Sequence, residues 1–211
     1  DTIFENHQTG QKIVKSHDNI VLSQGSLFGG MGTPCGCTSK PHGMWIKRYR
    51  NGNLKETGEY FCNRKTGTWT YYHENGNIKK IETYQLPYLE FLTEVNESWD
   101  TLQNNVYLLS GLYAEYYENG QLKEEGRYEI VEEFKTVDSL ITFHPDTYED
   151  LITTTKGAFW RPKSIKTGFW KYVDETGKHV NIEKYDPPWY TDQHFRPLAR
   201  RYAELLSGGK K

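Results

Sequence analysis

The sequence predicts an all-β protein, an elongated and twisted antiparallel meander of repeated β-hairpins, and three observations lead to this fold class. First, one pattern occurs four times: a glycine, an aromatic residue two positions later, a second glycine nine positions after the first and a tyrosine seventeen positions after it. Second, an Asn-Gly pair lies between aromatic-rich runs in three of the copies, and such pairs are strong signals for hairpin turns. Third, 15% of the 211 residues are aromatic, which favours pleated sheets over helical bundles.

Each copy is identified by its two glycines and its aromatic residue, and positions are counted from the first glycine, so that the aromatic residue is at position +2. The defining residues are Gly43, Trp45 and Gly52; Gly67, Trp69 and Gly76; Gly111, Tyr113 and Gly120; and Gly168, Trp170 and Gly177. Such repetition reports architecture rather than chemistry, because a single hairpin buries too little apolar surface to be stable until neighbours stack against it.

The Asn-Gly pairs also predict which residues face each other within a hairpin. A type I′ turn at Asn51-Gly52 has positive φ at both central residues. The pairs that follow are Tyr49–Leu54, Lys47–Glu56 and Trp45–Gly58 in the first copy, Tyr117–Leu122 and Tyr113–Gly126 in the third, and Trp69–Glu82 and Trp170–Glu183 in the others. We expect the glycine to give the opposite ring room to lie across the strand.

The pattern resembles the membrane occupation and recognition nexus (MORN) repeat, and more closely its bacterial variant. The resemblance rests on Gly67–Tyr84, "GTWTYYHENGNIKKIETY", and Gly111–Tyr128, "GLYAEYYENGQLKEEGRY". It extends over residues 42–84, 110–128 and 167–185. It implies a protein-binding or structural scaffold, of a kind often labelled antitoxin-like, and it brings no catalytic residue because none belongs to the motif. The fourth copy departs most, which suggests a terminal, cap-like repeat.

The spacing of the copies divides the chain into three parts. Residues 1–41 form an N-terminal capping segment, in which two short strands are predicted around a turn at Ser16–Asn19. Residues 42–185 form the repeat domain, with insertions at 85–109 and 129–166. Residues 186–211 form a C-terminal tail in which Pro197 begins a short amphipathic helix. We expect this helix to cap the sheet edge; docking to a partner or a membrane surface is the alternative.

The two insertions are the predicted partner-binding surface, because insertions in repeat arrays fall on one face. The candidate contact residues are Tyr88, Phe91, Trp99, Leu140 and Phe143. The first insertion is either a hairpin or a short helix, and the second is a long hairpin around His144-Pro145-Asp146. The competing interpretation is that these apolar residues cover the open sheet.

Three cysteines allow a disulfide from Cys35 or Cys37 to Cys62 if the protein is exported. With His42 they could instead supply four zinc ligands, but the spacing is not a common zinc pattern, and we predict no metal and no cofactor. Reduced thiols in a cytosolic protein remain the third interpretation.

Charge and composition exclude several function classes. The net charge of −2 provides no basic footprint for nucleic acid, and no apolar run approaches the roughly twenty residues of a membrane span. The seven histidines are scattered and no nucleophile elbow is present, so we predict that the protein is not an enzyme.

The predicted function is protein–protein interaction, as a repeat scaffold or accessory subunit of a larger, cell-envelope complex, with the antitoxin-like role as a special case. The alternative is an envelope or surface protein that binds glycan or lipid through its aromatic sheet face. Because the chain begins at Asp1 without methionine, we favour export after removal of a leader; a shortened chain would begin in the same way.

Overall fold

The computed structural model describes residues 1–6, 10–27, 40–61, 63–85, 108–137, 140–143, 150–153, 157–188 and 192–197. These residues form fourteen strands. The strands are β1 (Thr2–Asn6), β2 (Gln11–Lys15), β3 (Val21–Leu27), β4 (Pro41–Arg48), β5 (Leu54–Phe61), β6 (Arg64–Tyr72), β7 (Ile78–Gln85), β8 (Leu108–Tyr116), β9 (Leu122–Val137), β10 (Leu140–Phe143), β11 (Asp150–Thr153), β12 (Gly157–Val173), β13 (Val180–Tyr185) and β14 (Phe195–Pro197).

The main sheet is a meander in which strands that are consecutive along the chain lie side by side, except that β9 is followed by β12. Its order is β1-β2-β3-β4-β5-β6-β7-β8-β9-β12-β13, with β14 paired to β9 off this path. The strands β10 and β11 form a separate two-stranded sheet. The all-β meander of hairpins is therefore confirmed.

The predicted registers are confirmed in the hairpin arms and wrong beside the turns. Trp45 faces Gly58 and Lys47 faces Glu56, but Leu54 faces Arg48 instead of Tyr49. In the third copy Tyr113 faces Gly126, but Leu122 faces Tyr116 rather than Tyr117. The predicted pairs Trp69–Glu82 and Trp170–Glu183 are both present.

The difference at the turns comes from a loop one residue longer than predicted. The amide of Tyr49 donates to the carbonyl of Asn53 at 2.8 Å, and the amide of Gly52 donates to the carbonyl of Tyr49 at 3.0 Å. Gly52 has a φ of 89°, whereas Asn51 is not among the described residues with positive φ. This is the three-residue hairpin loop in which glycine follows a type I turn, so the predicted type I′ turn is wrong.

The β2–β3 hairpin repeats the same geometry inside the N-terminal segment. Gly10 has a positive φ (64°), as the first glycine of each copy also has, and Asn19 at position +9 has a φ of 65°. Lys12 faces Gly25, as Trp45 faces Gly58. The sequence pattern does not reveal this hairpin, because lysine, asparagine and leucine replace the aromatic residue, the second glycine and the tyrosine. The two predicted strands in this segment are present.

The chain divides into two compact units. The first contains residues Asp1–Glu129 and Lys166–Tyr185, and the second contains Ile130–Ile165 and Asp186–Lys211. In the second unit β10 pairs with β11, which confirms the hairpin predicted for the second insertion. Its described core includes the fully buried Val131 and Glu132, and the ammonium group of Lys163 lies 2.9 Å from the carboxylate of Glu133.

Candidate interaction surface

One face of the repeat sheet, which we call the ring face, carries the aromatic residues at positions +2 and +17. The residues at position +2 are all buried: Trp45, Trp69, Tyr113 and Trp170. Tyrosine rings lie edge-on between them; Tyr60, for example, contacts Trp45 and Trp69 at centroid distances of 6.1 and 4.8 Å. Edge-to-face rings at these distances attract each other beyond the effect of burial alone.

Each tryptophan at position +2 covers a glycine on the preceding strand. A Cβ atom added to Gly58 would lie 2.3 Å from the ring of Trp69, and added to Gly126 it would lie 2.2 Å from the ring of Trp170. Gly25 in the N-terminal hairpin holds Trp45 in the same way. We predicted that the ring comes from the glycine's own hairpin. The correction is that it comes from the next hairpin, so the glycine joins two repeats.

The strand β7 has Glu82 where β5 and β9 have glycine, and the next strand then carries a tyrosine. Glu82 faces Tyr113 across the β7–β8 pair and is buried. Its carboxylate is satisfied by the ammonium group of Lys80 at 2.7 Å and by the hydroxyl of Tyr84. Between adjacent hairpins, a glycine on one strand is thus covered by a tryptophan of the next, whereas Glu82 is followed by the smaller Tyr113.

The indole N–H groups complete two of these contacts. Trp45 donates to the carbonyl of Ser26 and Trp69 to the carbonyl of Glu59, each at 3.0 Å. The acceptor is in both cases the residue after the covered glycine. The indole N–H of Trp170 is buried and has no hydrogen-bond partner among the described residues.

In the second and in the fourth copy, the ammonium group of a lysine lies over the aromatic rings. The ammonium group of Lys65 lies 4.3 Å from the ring centre of Trp69 and donates to the hydroxyl of Tyr71 at 2.7 Å. That of Lys166 lies 3.9 Å from the ring centre of Trp170 and donates to Tyr172 at 3.1 Å. These are cation–π contacts supported by hydrogen bonds.

The pKa values of the two lysines are shifted in opposite directions by their surroundings. Burial lowers the pKa of Lys65, against the opposing charge of Glu56. Burial also acts to lower the pKa of Lys166, but the hydrogen bond with Tyr172 and the charge of Glu124 raise it overall. The carboxylate of Glu124 is 3.3 Å from Lys166, whereas that of Glu56 is 3.8 Å from Lys65.

The hairpin turns at one end of the strands are connected by hydrogen bonds from asparagine side chains. The amide of Asn75 donates to the carbonyl of Glu118 in the next turn at 2.8 Å, while its oxygen accepts the backbone N–H of Asn77 at 2.9 Å. Asn51 and Asn119 make the equivalent contacts to Glu74 and Glu175. These contacts need both a donor and an acceptor, and the asparagine amide carries them on two different atoms.

The opposite face of the sheet, which we call the open face, carries the side chains at positions +1 and +14. Several are large, apolar and exposed to solvent: Met44 (60%), Leu112 (69%), Phe169 (70%) and Ile182 (63%). Met44, Leu112 and Phe169 each precede a buried residue of the ring face, because successive side chains of a strand point to opposite faces. Exposed apolar side chains gathered on one face indicate an interaction surface.

The family model described as the MORN repeat variant matches residues 41–63, 65–86 and 109–129. These segments are MORN repeats. They coincide with the hairpins that begin at Gly43, Gly67 and Gly111, whose geometry is given above. No curated protein and no solved structure matches the chain.

The fourth hairpin lies outside the matched segments but has the geometry of a MORN repeat. Gly168 has a φ of 67°, and Trp170 covers Gly126. Its turn differs, because Asp174 accepts hydrogen bonds from Thr176 and Lys178 of the same loop. No donor amide is present at the position of Asn119, in keeping with a terminal repeat.

Most of the predicted contact residues lie outside the described residues, and those predictions stay predictions. Tyr88, Phe91 and Trp99 are in this group, as are Cys35, Cys37, Cys62 and the predicted C-terminal helix from residue 198 onward. The predicted start of that helix at Pro197 is wrong, because Pro197 is the last residue of β14 and pairs with Val131 of β9. Leu140 and Phe143 lie at the two ends of β10.

The open-face residues were not selected from the sequence. The available signal was an apolar residue directly before the aromatic residue of a repeat, as in Leu112-Tyr113 and Phe169-Trp170. Because strand neighbours point to opposite faces, such a residue lies on the open face whenever its neighbour lies on the ring face.

The described residues show no group of three or more His, Cys, Asp and Glu side chains arranged to hold a metal ion. The described residues contain no helix long and apolar enough to cross a membrane.

Proposed function

We propose that the chain is a non-enzymatic protein-interaction module whose open face binds another protein. The observation that carries this proposal is the set of apolar side chains on that face, Met44, Leu112, Phe169 and Ile182, which are 60–70% exposed. Met44, Leu112 and Phe169 lie on strands whose other face is already filled by buried aromatic rings, and Ile182 lies on β13, the last strand of the described sheet. The fold therefore does not need them for its own core.

The energetics of these side chains suit a protein partner. Complete burial of a leucine or phenylalanine side chain contributes roughly 1.5–3 kcal/mol. Interfaces usually depend on a few such anchors surrounded by polar contacts. Charged residues on the open face, such as the exposed Arg127 that faces Leu112, would supply that polar surround.

The ring face suits a glycan or lipid partner less well than the sequence suggests. Stacking on a sugar needs rings with an exposed face, but Trp69 and Trp170 are fully buried. Their faces are occupied by backbone at the covered glycines and by lysine side chains. We therefore propose that the partner binds the open face rather than the aromatic ring face.

The biological setting we propose is an accessory subunit of a larger bacterial complex at the cell envelope. An antitoxin-like role, in which the partner is a toxin, is a special case of this setting. The insertion residues Phe91, Trp99 and Phe143 are proposed as further contacts to the same partner.

The test is capture of the tagged protein from its source cells, with the bound protein identified by mass spectrometry and then purified for binding measurements. Leu112→Asp should abolish capture, because it removes an apolar anchor and buries a charge. Thr68→Asp is the matched control, since Thr68 is exposed at the same position of the second repeat and provides no apolar anchor. Equal capture by Leu112→Asp and the unchanged protein would overturn the assignment of the open face.

A further inference from the structure

We propose that Asn119, in the turn of the third repeat, is a modification site at which the side chain loses ammonia and becomes aspartate or isoaspartate. Asn119-Gly120 is one of three Asn-Gly pairs in the sequence, with Asn51-Gly52 and Asn75-Gly76. In such a pair the glycine nitrogen can attack the side-chain amide of the asparagine, because glycine has no Cβ to obstruct the approach. The three turns have the same shape, but the turn of Asn119 is held less firmly than the other two.

The reaction is a cyclisation followed by a hydrolysis. A bond forms between the backbone nitrogen of Gly120 and Cγ of Asn119, the bond from Cγ to the side-chain nitrogen breaks, and ammonia leaves with the proton of the glycine N–H. The succinimide ring then takes up one water molecule. Opening at one carbonyl gives aspartate at position 119, and opening at the other gives isoaspartate, in which the main chain runs through the former side chain.

The folded turn opposes this attack at all three pairs. The backbone N–H of Gly120 donates to the carbonyl of Tyr117 at 2.9 Å, and the equivalent bonds of Gly52 and Gly76 are 3.0 Å long. The side-chain oxygen of each asparagine accepts the backbone N–H of the second residue after it at 2.9 Å. The turn must therefore open locally before the two reacting groups can combine.

The turns differ in the number of side-chain amides that hold each of them to the next turn. The carbonyl of Glu118 accepts hydrogen bonds from both Asn75 and Asn77, each at 2.8 Å. The carbonyl of Glu175 accepts from Asn119 alone among the described residues, at 3.2 Å. The turn of Asn119 thus has one such bond, and a longer one, where the turn of Asn75 has two.

The glutamine at position 121 accounts for this difference. The oxygen of the Gln121 side chain lies 3.3 Å from the place that a Cβ would take at Gly177, and the side chain does not donate to the next turn as Asn77 does. The first turn agrees with the second, because Asn51 and Asn53 both donate to the same carbonyl, at 3.1 and 2.8 Å.

The remaining contacts between turns are the same in all three. Tyr49, His73 and Tyr117 occupy one position of their turns, and each forms one hydrogen bond to a backbone carbonyl of the next hairpin, at 2.7, 3.0 and 3.0 Å. The missing amide bond therefore decides the comparison. One net hydrogen bond changes the population of an open turn by roughly fivefold.

The modification should loosen the fourth hairpin. The product at position 119 keeps an acceptor for the N–H of Gln121 but has no amide to donate to the carbonyl of Glu175, and it places a carboxylate beside that carbonyl. The fourth hairpin carries Phe169 and Ile182 of the open face. The reaction would therefore act on the surface proposed to bind the partner, although the reaction itself does not depend on that proposal.

The test compares Asn75 with Asn119, because both lie in the sequence Glu-Asn-Gly. The full chain is kept folded at mildly alkaline pH, and aspartate and isoaspartate at both positions are measured by peptide mapping with mass spectrometry. We expect Asn119 to react roughly fivefold faster than Asn75. In the chain unfolded with guanidinium the two rates should be equal. Equal rates in the folded chain, a faster reaction of Asn75, or the same preference in the unfolded chain would overturn the proposal.

Exchange of one side chain between the two turns gives matched variants. Gln121→Asn supplies the second amide and should slow the reaction of Asn119 to the rate of Asn75. Asn77→Gln removes the second amide and should accelerate the reaction of Asn75 to the rate of Asn119. Both variants leave the Asn-Gly pairs unchanged. If neither rate changes, the amide bonds do not control the reaction and the proposal is wrong.

Hydrogen exchange of the backbone amides tests the effect on the fourth hairpin. Asn119→Asp should accelerate exchange in residues 168–185 and leave exchange in residues 41–61 unchanged, because the first hairpin does not contact the altered turn. Unaltered exchange in residues 168–185, or equal acceleration in both segments, would contradict the local loosening.

Discussion

The two faces of the repeat sheet are formed by alternate residues of the same strands, but they have opposite relations to solvent. On the ring face Trp170 is fully buried, whereas its chain neighbour Phe169 on the open face is 70% exposed. The first joins two hairpins by covering Gly126. Phe169 does not cover a glycine in this way. The comparison separates the residues that stabilise the array from those that remain available to a partner.

The largest expected difference between the faces is in stability. Trp170→Ala should lower the free energy of unfolding by about 3–5 kcal/mol, because it opens a cavity between two hairpins. Phe169→Ala should change it by less than about 0.5 kcal/mol, as for other exposed residues. Urea unfolding of the two variants measures both values. Similar losses in the two variants would show that the faces do not differ as described.

The next largest effect is expected at the covered glycine. Gly58→Ala places a methyl group 2.3 Å from the ring of Trp69, and overpacking of this kind costs about 1–3 kcal/mol. We expect a cost near the upper end, because the ring is enclosed. Trp69→Tyr should recover part of this loss in the double variant, because a tyrosine is the natural neighbour of the larger Glu82.

Gly43→Ala is the control for the glycine experiment. No atom lies within 4 Å of a Cβ added to Gly43, but its φ is 71°. The cost should therefore be the conformational one alone, about 1–2 kcal/mol, and Trp69→Tyr should not reduce it. Thermal or urea unfolding of the single and double variants gives the coupling energy directly.

Alkaline pH should lower the contribution of the ring face to the free energy of unfolding. Burial raises the pKa of the Tyr71 hydroxyl, and the hydrogen-bonded hydroxyl of Tyr84 raises it further. In the unfolded chain the pKa of tyrosine is about 10. Below that pH both states are protonated and the contribution to stability is complete. Above it the unfolded state loses the proton first, so stability falls as pH rises. Tyr71→Phe should make unfolding less dependent on pH above about 10.

The smallest effect on stability is expected at the hairpin turns that the asparagine side chains connect. Asn75→Asp keeps the acceptor for the backbone N–H of Asn77 but removes one of the two amide groups that donate to the carbonyl of Glu118, the other being that of Asn77. The loss of one hydrogen bond should cost about 1 kcal/mol. Thr176→Asn adds an amide where no following turn is described, and should change the free energy of unfolding by less than about 0.5 kcal/mol. Equal effects in the two variants would contradict the role of the asparagine ladder.

The sequence predicts the hairpins well because their signals are local. Glycine at the first and ninth positions marks backbone that needs positive φ, and Gly43 and Gly52 have it. The register of the arms follows from the turns. The extra loop residue was missed because Asn-Gly is compatible with two loop lengths, and only the hydrogen bond from Tyr49 to Asn53 distinguishes them.

Contacts between repeats are less visible in the sequence. The glycine opposite Trp45 is Gly58, yet the ring that covers Gly58 belongs to Trp69. A sequence pattern predicts the cross-strand partner of a residue within one hairpin. It does not predict which ring of an adjacent hairpin covers that residue. The open face was missed for a different reason. Leu112 and Phe169 look like core residues in a sequence, and their exposure follows only when the sheet has no second layer over them.

The most direct test of the account is site-specific photo-cross-linking from the two faces in the source cells. A photoreactive phenylalanine derivative replaces Leu112 on the open face, and in a matched variant replaces Lys47, whose side chain is 39% exposed on the ring face. The account predicts a covalent adduct with one partner protein from position 112 and none from position 47. An adduct from position 47 alone, or equal adducts from both, would contradict the claim that the open face binds the partner.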